Sequence, residues 1–512
     1  MPPPKWVIRQ YHPLRVTSGE RTAGSVAARW SCVAARQNSR GSSNRAAVAE
    51  AASPAAAAPP PSPKLLAIVI VLAAALGVVV SLAAWCFLEL IHQLQHGVFT
   101  DLPSDMGYRP APWWWYVLVL GVAGLLVALA IMHLPGRGGH VPSQGISFGA
   151  APTQPIEVPG VVLAGFATIG LGLVLGPEAP LLAMGGGLGL VAIRLSRADA
   201  PPQVQTVMAA AGSFAAMSFL FDQPIIAAVI IIEAAGLNRQ QLQLLLVPGL
   251  TAAGIGSLVS IGMGSWTGLS TSAYSLGALP LPHLARPDVA EFGWTVPVAV
   301  IVAIVAAAIF RLAQGVERVV VPRLLLLAPA AGMLVAGLAI AFSHAAGKSA
   351  SEVLFSGQDQ LPGLVSGAST WSISALLLLL GFKGVAWSIS LASFRGGPTF
   401  PALFLGAAGG ILASRLPGFG LTAGVAVGMG AAIVSVLKLP LSAVVIATLL
   451  AGKSGAAVGP LIIIGVVVAH LTTLGLSRRQ ALAPAGQHAD ATVTRRAPQP
   501  ASAASAGAPA AG

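Results

Sequence analysis

Glu178 is the residue whose surroundings point most directly to chemistry. It lies in Gly176-Pro177-Glu178-Ala179-Pro180, between two strongly apolar stretches. Proline is tolerated in the first turn of a helix, because the N–H that it lacks has no partner there. The segment therefore predicts a break followed by a helix N-terminus, whose unpaired N–H groups stabilise either a carboxylate or a dissolved anion. A carboxylate that competes with an anion for one helix end would act as a gate. The alternative is that Glu178 only caps its helix.

Two other Gly- and Pro-rich segments have the same character. Residues 136–142 (Gly-Arg-Gly-Gly-His-Val-Pro) precede a short helix, and their backbone N–H groups are suited to an anion-binding nest. Residues 394–401 lead into an apolar helix in the second half of the chain. Short apolar segments broken by Gly and Pro in both halves are typical of discontinuous helices that meet at a buried site. We expect these helix ends to converge.

The other charged groups in or beside apolar runs are few. A charge inside a bilayer is costly and is a functional hypothesis by default. For Glu233 the alternative to a functional role is that of a helix-end residue that faces the cytoplasm. Lys383 and Lys438 are expected to extend to an interface. No metal-ligand or nucleophile motif accompanies these residues, so the sequence predicts no catalytic residue, no metal and no cofactor.

The composition defines the class of protein. Of 512 residues, 55% are hydrophobic and only 9% are charged, against about 25% charged in a soluble domain. This excludes an ordinary cytosolic enzyme and predicts an all-α integral membrane protein. Fourteen apolar runs follow one another between residues 65 and 475, and several are shorter than the roughly 20 residues that a full crossing needs.

The net charge of +12 is concentrated at the two ends of the chain. Residues 1–64 carry +7 and residues 477–512 carry +3, and both are low-complexity segments that we expect to be disordered. The membrane domain is predicted at 65–476, with halves at about 65–262 and 290–476. The positive-inside rule favours cytoplasmic termini, and the core has no basic stripe for nucleic acid. The Ala- and Gly-rich composition favours a bacterial inner membrane, with an organelle as the alternative if the Arg-rich N-terminus is a transit peptide.

Several motifs, in order along the chain, resemble those of the CLC family of chloride channels and proton-coupled chloride exchangers. The matching segments are 138–142 (Gly-Ser-Gly-Ile-Pro in the family), 176–180 (Gly-x-Glu-Gly-Pro), 221–233 (Phe-Asn-x-Pro…Ile-Glu), 396–401 (Gly-Gly-x-Phe-x-Pro), and 427–429 with 438–442. The resemblance implies two inverted halves of tilted, broken helices, and a homodimer in the lipid bilayer with one anion pore per subunit.

The resemblance also implies the site residues. Glu178 would be the gate, and Glu233 is a candidate proton relay. The positions implied to bind the anion are Gly138, Gly139, His140, Gly176, Pro177, Ala179, Gly397, Thr399, Phe400 and Ser454.

This sequence departs from the family pattern at several of these positions. The family's anion-coordinating serine falls at Gly139, and the first of two central backbone donors falls at Pro398, which has no N–H. Thr399 and Phe400 would have to supply the amides. The pore tyrosine has no counterpart, and Ser454 falls near its position. The transported ion is therefore chloride or another small inorganic anion.

The pair Glu233-Ala234 bears on proton coupling. Exchangers of the family commonly carry two successive glutamates here, whereas channels commonly have an apolar second residue. The sequence therefore favours a passive anion channel, with a coupled chloride/proton antiporter as the alternative. A membrane-embedded enzyme or a structural membrane protein is a more distant alternative.

Overall fold

The computed structural model describes residues 63–145, 152–196, 202–235, 239–269 and 276–482, and regular structure in these ranges is helical. In the first half the main helices are α1 (Pro63–His96), α2 (Trp113–His133), α3 (Val158–Gly170), α4 (Glu178–Leu195), α5 (Pro202–Phe221), α6 (Pro224–Ala235) and α7 (Arg239–Thr267). In the second half they are α8 (Val289–Val320), α9 (Leu324–Ala346), α10 (Leu361–Ser366), α11 (Ile373–Ser393), α12 (Thr399–Ala413), α13 (Leu421–Leu437), α14 (Pro440–Leu450) and α15 (Gly455–Leu482).

The helices confirm the predicted all-α membrane class. Among the described residues, eight helical stretches are long and apolar enough to cross a bilayer, and five further apolar helices are shorter than a crossing requires. The short ones are α3, α6, α12, α13 and α14. Nearly all of the tail predicted at 1–64 lies outside the described residues. At the other end α15 continues to Leu482, past residue 476, where the composition turns polar.

Glycines allow neighbouring helices to pack in close contact in both halves. Where α4 meets α5, Gly185 and Gly212 face each other so closely that a Cβ on either would overlap the backbone of the other. Where α12 meets α13, Gly406 and Gly428 make the same kind of contact. Such approach is how helices pack in lipid, where van der Waals contact replaces the hydrophobic effect as the driving force. The high glycine content therefore holds α4 and α12 firmly against their neighbours.

The starts of α4 and α12 meet inside the protein. Two residues before each helix, Gly176 and Gly397 form an antiparallel bridge through two reciprocal N–H to C=O hydrogen bonds of 2.7 Å. Outside the helices this is the only isolated bridge among the described residues. The two halves of the chain are thus joined at the point where both broken helices begin.

Candidate functional site

The same local sequence logic places both helix ends at the site. Pro177 is the N-cap of α4 and Pro398 is the N-cap of α12. Neither proline has an N–H to leave unpaired, and each is preceded by one of the bridged glycines. Residues Glu178 and Thr399 therefore open two helices whose free N–H groups, and positive dipole ends, face a shared interior space.

The Glu178 carboxylate occupies that space. The side chain is buried, with 1% of its surface exposed. Its Oε1 accepts a hydrogen bond of 2.9 Å from the backbone N–H of Phe400, which belongs to the other half of the chain. Thr399 also presents its N–H and hydroxyl to this carboxylate. One helix begins at Glu178 itself, and the other supplies the donors that hold its side chain.

The second carboxylate oxygen has no such support. Glu178 Oε2 is enclosed and has no hydrogen-bond partner among the described residues. A buried acceptor without a donor costs free energy, and more so when it is charged. The carboxylate is therefore held by one oxygen and destabilised at the other, as expected of a group that leaves its place at moderate cost.

The two bridged glycines leave room for the carboxylate. A Cβ at Gly176 or at Gly397 would fall on the Glu178 side chain. The ring of Phe400 stacks on that of Phe221, at the end of α5, with centroids 5.5 Å apart. This stacking fixes the residue whose amide binds Glu178. Of the predicted anion-binding positions, the structure thus brings together Gly176, Pro177, Ala179, Gly397, Thr399 and Phe400 at the start of the two helices.

The predicted nest at 136–142 lies beside this site but makes no hydrogen bond to Glu178 among the described residues. The backbone from Gly136 to Gly139 has positive φ angles throughout. Gly138 packs against the stem of Arg395, and Gly139 packs against Val161. His140 is exposed. The segment therefore contacts the loop that leads into α12, two residues before the bridge.

Glu233 binds the N-terminus of α14. Its Oε1 accepts from the Leu441 N–H at 2.8 Å, and its Oε2 accepts from the N–H and the hydroxyl of Ser442 at 2.7 and 2.6 Å. Three donors therefore hold one carboxylate in a capping arrangement. No hydrogen bond joins Glu233 to Glu178 in the described part of the chain, and the proton-relay assignment stays a prediction.

Ser454 makes no hydrogen bond to Glu178, Thr399 or Phe400 in the part of the chain that the structure describes. Its buried hydroxyl accepts from the Leu284 N–H at 3.0 Å and donates to the Pro282 carbonyl at 3.3 Å. These partners belong to the segment that precedes α8. In this structure the Ser454 hydroxyl therefore binds the segment that connects to α8, and its predicted role in anion binding stays a prediction.

The expectation that Lys383 extends to an interface is wrong. Its side chain has no exposed surface, and its Nζ donates to the carbonyls of residues 352–355 at 2.8–3.4 Å. The ammonium also lies 4.4 Å from the centre of the Phe404 ring. Outside the membrane-spanning helices, burial raises the pKa of nearby Glu352, and the charge of Lys383 offsets part of that rise. Lys383 therefore stabilises a loop whose carbonyls would otherwise lack donors.

Arg395 is the residue at this site to which the sequence analysis assigned no role. It follows α11 and precedes the bridged Gly397 by two positions, and 8% of its surface is exposed. The sequence signal for Arg395 was a cation directly before a Gly-Gly-Pro segment between apolar helices. An arginine in such a place is expected to have a partner, because arginine is rarely buried unpaired.

Comparison with known proteins agrees with this geometry. A family model described as voltage gated chloride channel matches residues 144–474. A curated Escherichia coli O1:K1 protein named "Putative ion-transport protein YfeO" is 29% identical over 350 residues, which cover 66% of this chain and 77% of the relative. Its counterpart in E. coli O6:H1 strain CFT073 is 28% identical over the same length.

Two solved structures share the fold. The structure of a slow cyanobacterial Cl⁻/H⁺ antiporter superposes with a TM-score of 0.63 at 18% identity and covers 81% of this chain and 98% of its own. The structure of a CLC-type fluoride/proton antiporter superposes with a TM-score of 0.60 at 16% identity, covering 80% and 96%. With the family match extending over most of the membrane helices, the chain belongs to the voltage gated chloride channel family, the CLC family that its motifs resemble.

Proposed function

We propose that this protein exchanges chloride, or another small inorganic anion, for protons across a membrane, with Glu178 as the gate. The observation that carries the proposal is the Glu178 carboxylate on the Phe400 N–H, at the meeting point of two helix N-termini. Helix N-termini bind anions. A carboxylate in that place excludes a dissolved anion until the carboxylate leaves.

Protonation gives the gate a reason to move. An ionised carboxylate accepts strongly from a backbone N–H, whereas the neutral acid is a weaker acceptor. A proton taken up by Glu178 would therefore release the side chain from Phe400, and an anion would take the vacated donors. When the proton is released to the opposite side of the membrane, the deprotonated side chain returns and expels the anion, so proton movement is coupled to anion exchange. Both structural relatives are described as proton-coupled antiporters, which favours coupling over passive flow.

A passive anion channel is the second candidate. Ala234 stands where exchangers of the family commonly carry a second glutamate, and the Glu233 carboxylate is occupied by three donors of α14. Neither residue then provides an obvious route for protons from one side of the membrane. A channel would use Glu178 only to open and close.

Purified protein in chloride-loaded liposomes separates the two. The chloride gradient is released in the presence of a potassium ionophore while the external pH is recorded, because exchange of outward chloride for inward protons moves charge and would otherwise stop at the membrane potential that it builds. Chloride efflux that drives protons inward against their gradient supports the antiporter. Chloride efflux at constant external pH supports the channel. The same vesicles loaded with fluoride, bromide or nitrate identify the anion. Failure of every anion to move would refute both.

The gate is tested by Glu178→Gln, which keeps the size of the side chain and removes its titration. Anion flux should persist and lose its pH dependence, and proton movement should stop. Glu89→Gln is a matched control, because Glu89 is also buried but accepts from Gln93 on its own helix. If Glu178→Gln kept the wild-type pH profile and proton coupling, the gate assignment would be wrong.

We also propose a homodimer in a bacterial cell membrane with both termini in the cytoplasm. The family membership, the bacterial relatives and the basic ends of the chain support this assignment. Mass measurement of the detergent-solubilised protein tests the dimer, and protease access to the two ends in oriented vesicles tests the topology.

A further inference from the structure

Arg395 holds a buried positive charge that the proposed gate does not use. Its guanidinium makes two hydrogen bonds, from Nη1 to the Phe394 carbonyl at 3.1 Å and from Nε to the Arg137 carbonyl at 3.4 Å. No carboxylate lies within ion-pair distance of Arg395 among the described residues. Since a guanidinium carries five N–H donors, three remain without a partner in that part of the chain.

The free side of the guanidinium is not completely enclosed. Nη2 makes no hydrogen bond with the described residues, and it is not among their enclosed unpaired atoms. It therefore keeps some exposed surface, although more than nine-tenths of the residue is buried. A buried cation with a partly exposed, unpaired edge is suited to an anion, which would supply the missing countercharge.

The position of Arg395 connects the two parts of the candidate site. Its stem packs on Gly138, in the segment of positive φ angles whose amides are predicted to bind an anion. Along the chain it precedes Gly397, which lies against the Glu178 carboxylate, by two residues, a span of at most about 7 Å. Arg395 thus links the backbone beside Glu178 to the 136–139 segment.

Glu317 moderates the charge at this point. Its carboxylate is near enough to interact electrostatically with Arg395. It is held away from direct pairing by Ser143 and by Gln144, which donate to its two oxygens, the latter at 2.9 Å. The cation is therefore partly offset but not neutralised, and an anion that binds it remains free to leave.

We propose that Arg395 is an anion-binding residue on the transport route, one that receives the permeant anion between the 136–140 segment and the Glu178 gate. The proposal rests on the proposed transport function and extends it. Arg395 supplies the donors that the path loses at Gly139 and Pro398. Glu317 sets how tightly this site binds, and Ser143 and Gln144 are positioning residues that act through Glu317.

The test compares the chloride concentration that gives half-maximal flux in four variants. Arg395→Gln should raise it about tenfold, because a charged hydrogen-bond donor is lost. Arg395→Lys should restore part of the affinity, since it keeps the charge and loses the planar fork. Glu317→Gln should lower the half-saturating concentration. Arg415→Gln is the matched control, because Arg415 also donates to loop carbonyls, those of Ala368 and Trp371, and should leave it unchanged.

A purely structural Arg395 would give a different pattern. In that case Arg395→Gln would lower thermal stability as Arg415→Gln does, without a change in chloride affinity, and the proposal would be overturned. If Arg395→Gln does not fold, the test depends on Arg395→Lys and Glu317→Gln. A higher half-saturating chloride concentration in the first and a lower one in the second support the site, and unchanged values in both refute it.

A second readout separates this proposal from the function on which it rests. Chloride is titrated against the detergent-solubilised protein while the unfolding temperature is followed. If the wild type transports no anion, the transport proposal fails. If chloride then stabilises the wild type but not Arg395→Gln or Arg395→Lys, the anion site at Arg395 is still supported. If chloride stabilises these variants as much as the wild type, the site is refuted.

Discussion

The close approach of Gly397 to the gate predicts that a single methyl group opens it. A Cβ built on Gly397 would lie 1.7 Å from Glu178 Oε2 and 2.9 Å from Glu178 Cβ. Real Cβ contacts essentially never fall below 3.0 Å, so Oε2 must move by at least 1.3 Å, the difference between 3.0 and 1.7. The bridge of Gly397 to Gly176 holds the backbone in place. In Gly397→Ala the Glu178 side chain therefore has to move.

The movement removes the bond that keeps the gate closed. Glu178 Oε1 accepts from the Phe400 N–H at 2.9 Å, and a hydrogen bond to a charged group contributes about 1.5–3 kcal/mol. Its loss should shift the ratio of closed to open gate by about 10- to 150-fold. We expect Gly397→Ala to increase anion flux at neutral pH and to flatten the pH profile, and proton coupling should fall.

The assay is the liposome flux measurement over a range of pH, with two comparisons. Gly409→Ala, in the helix α12 that follows Gly397, is the silent control, because a Cβ there meets no atom within 4 Å. Gly397→Ala is also made in the Glu178→Ala background, where no carboxylate is left to displace and flux should change less than about twofold, a difference of under 0.5 kcal/mol. Unchanged flux and pH dependence in the single variant would refute the reasoning. Loss of flux in both backgrounds would mean that the methyl group blocks the anion itself.

Two further predictions concern stability. Glu233→Ala leaves the first N–H groups of α14 without their acceptor and should lower the unfolding free energy by about 1–3 kcal/mol. The loss should exceed that of Ser442→Ala. Denaturant titrations followed by tryptophan fluorescence measure both. Lys383→Met removes the common donor of four loop carbonyls and should cost about 3 kcal/mol in the same titration, whereas Lys438→Met, at an exposed position, should have little effect. An unaltered midpoint for either test variant would contradict its assigned role.

Local sequence predicts the helix ends well and their partners poorly. The break before Glu178 follows from the neighbouring glycine and prolines, and α4 begins at that residue. The donor that Glu178 uses, Phe400, lies 222 positions away. The Gly- and Pro-rich breaks predicted that the two helix ends converge, but they did not identify the amide that binds the carboxylate. Lys383 shows the same limit, because its acceptors are 28–31 positions upstream in an irregular loop. The sequence shows a lysine within an apolar run, but it does not show that the carbonyls of residues 352–355 lie close enough to accept from it.

Two carboxylates of the first half, Glu178 and Glu233, are held in different ways. Glu178 reaches across to α12 and Glu233 to α14, so each binds a helix N-terminus of the second half. Glu233 accepts from three donors, and releasing it would cost several charged hydrogen bonds and separate α6 from α14. Glu178 has one strong hydrogen bond, and its other oxygen has no partner. A proton or an anion can therefore displace Glu178 while the bridge at Gly176 and the Glu233 cap keep the halves together, which confines the motion to one side chain.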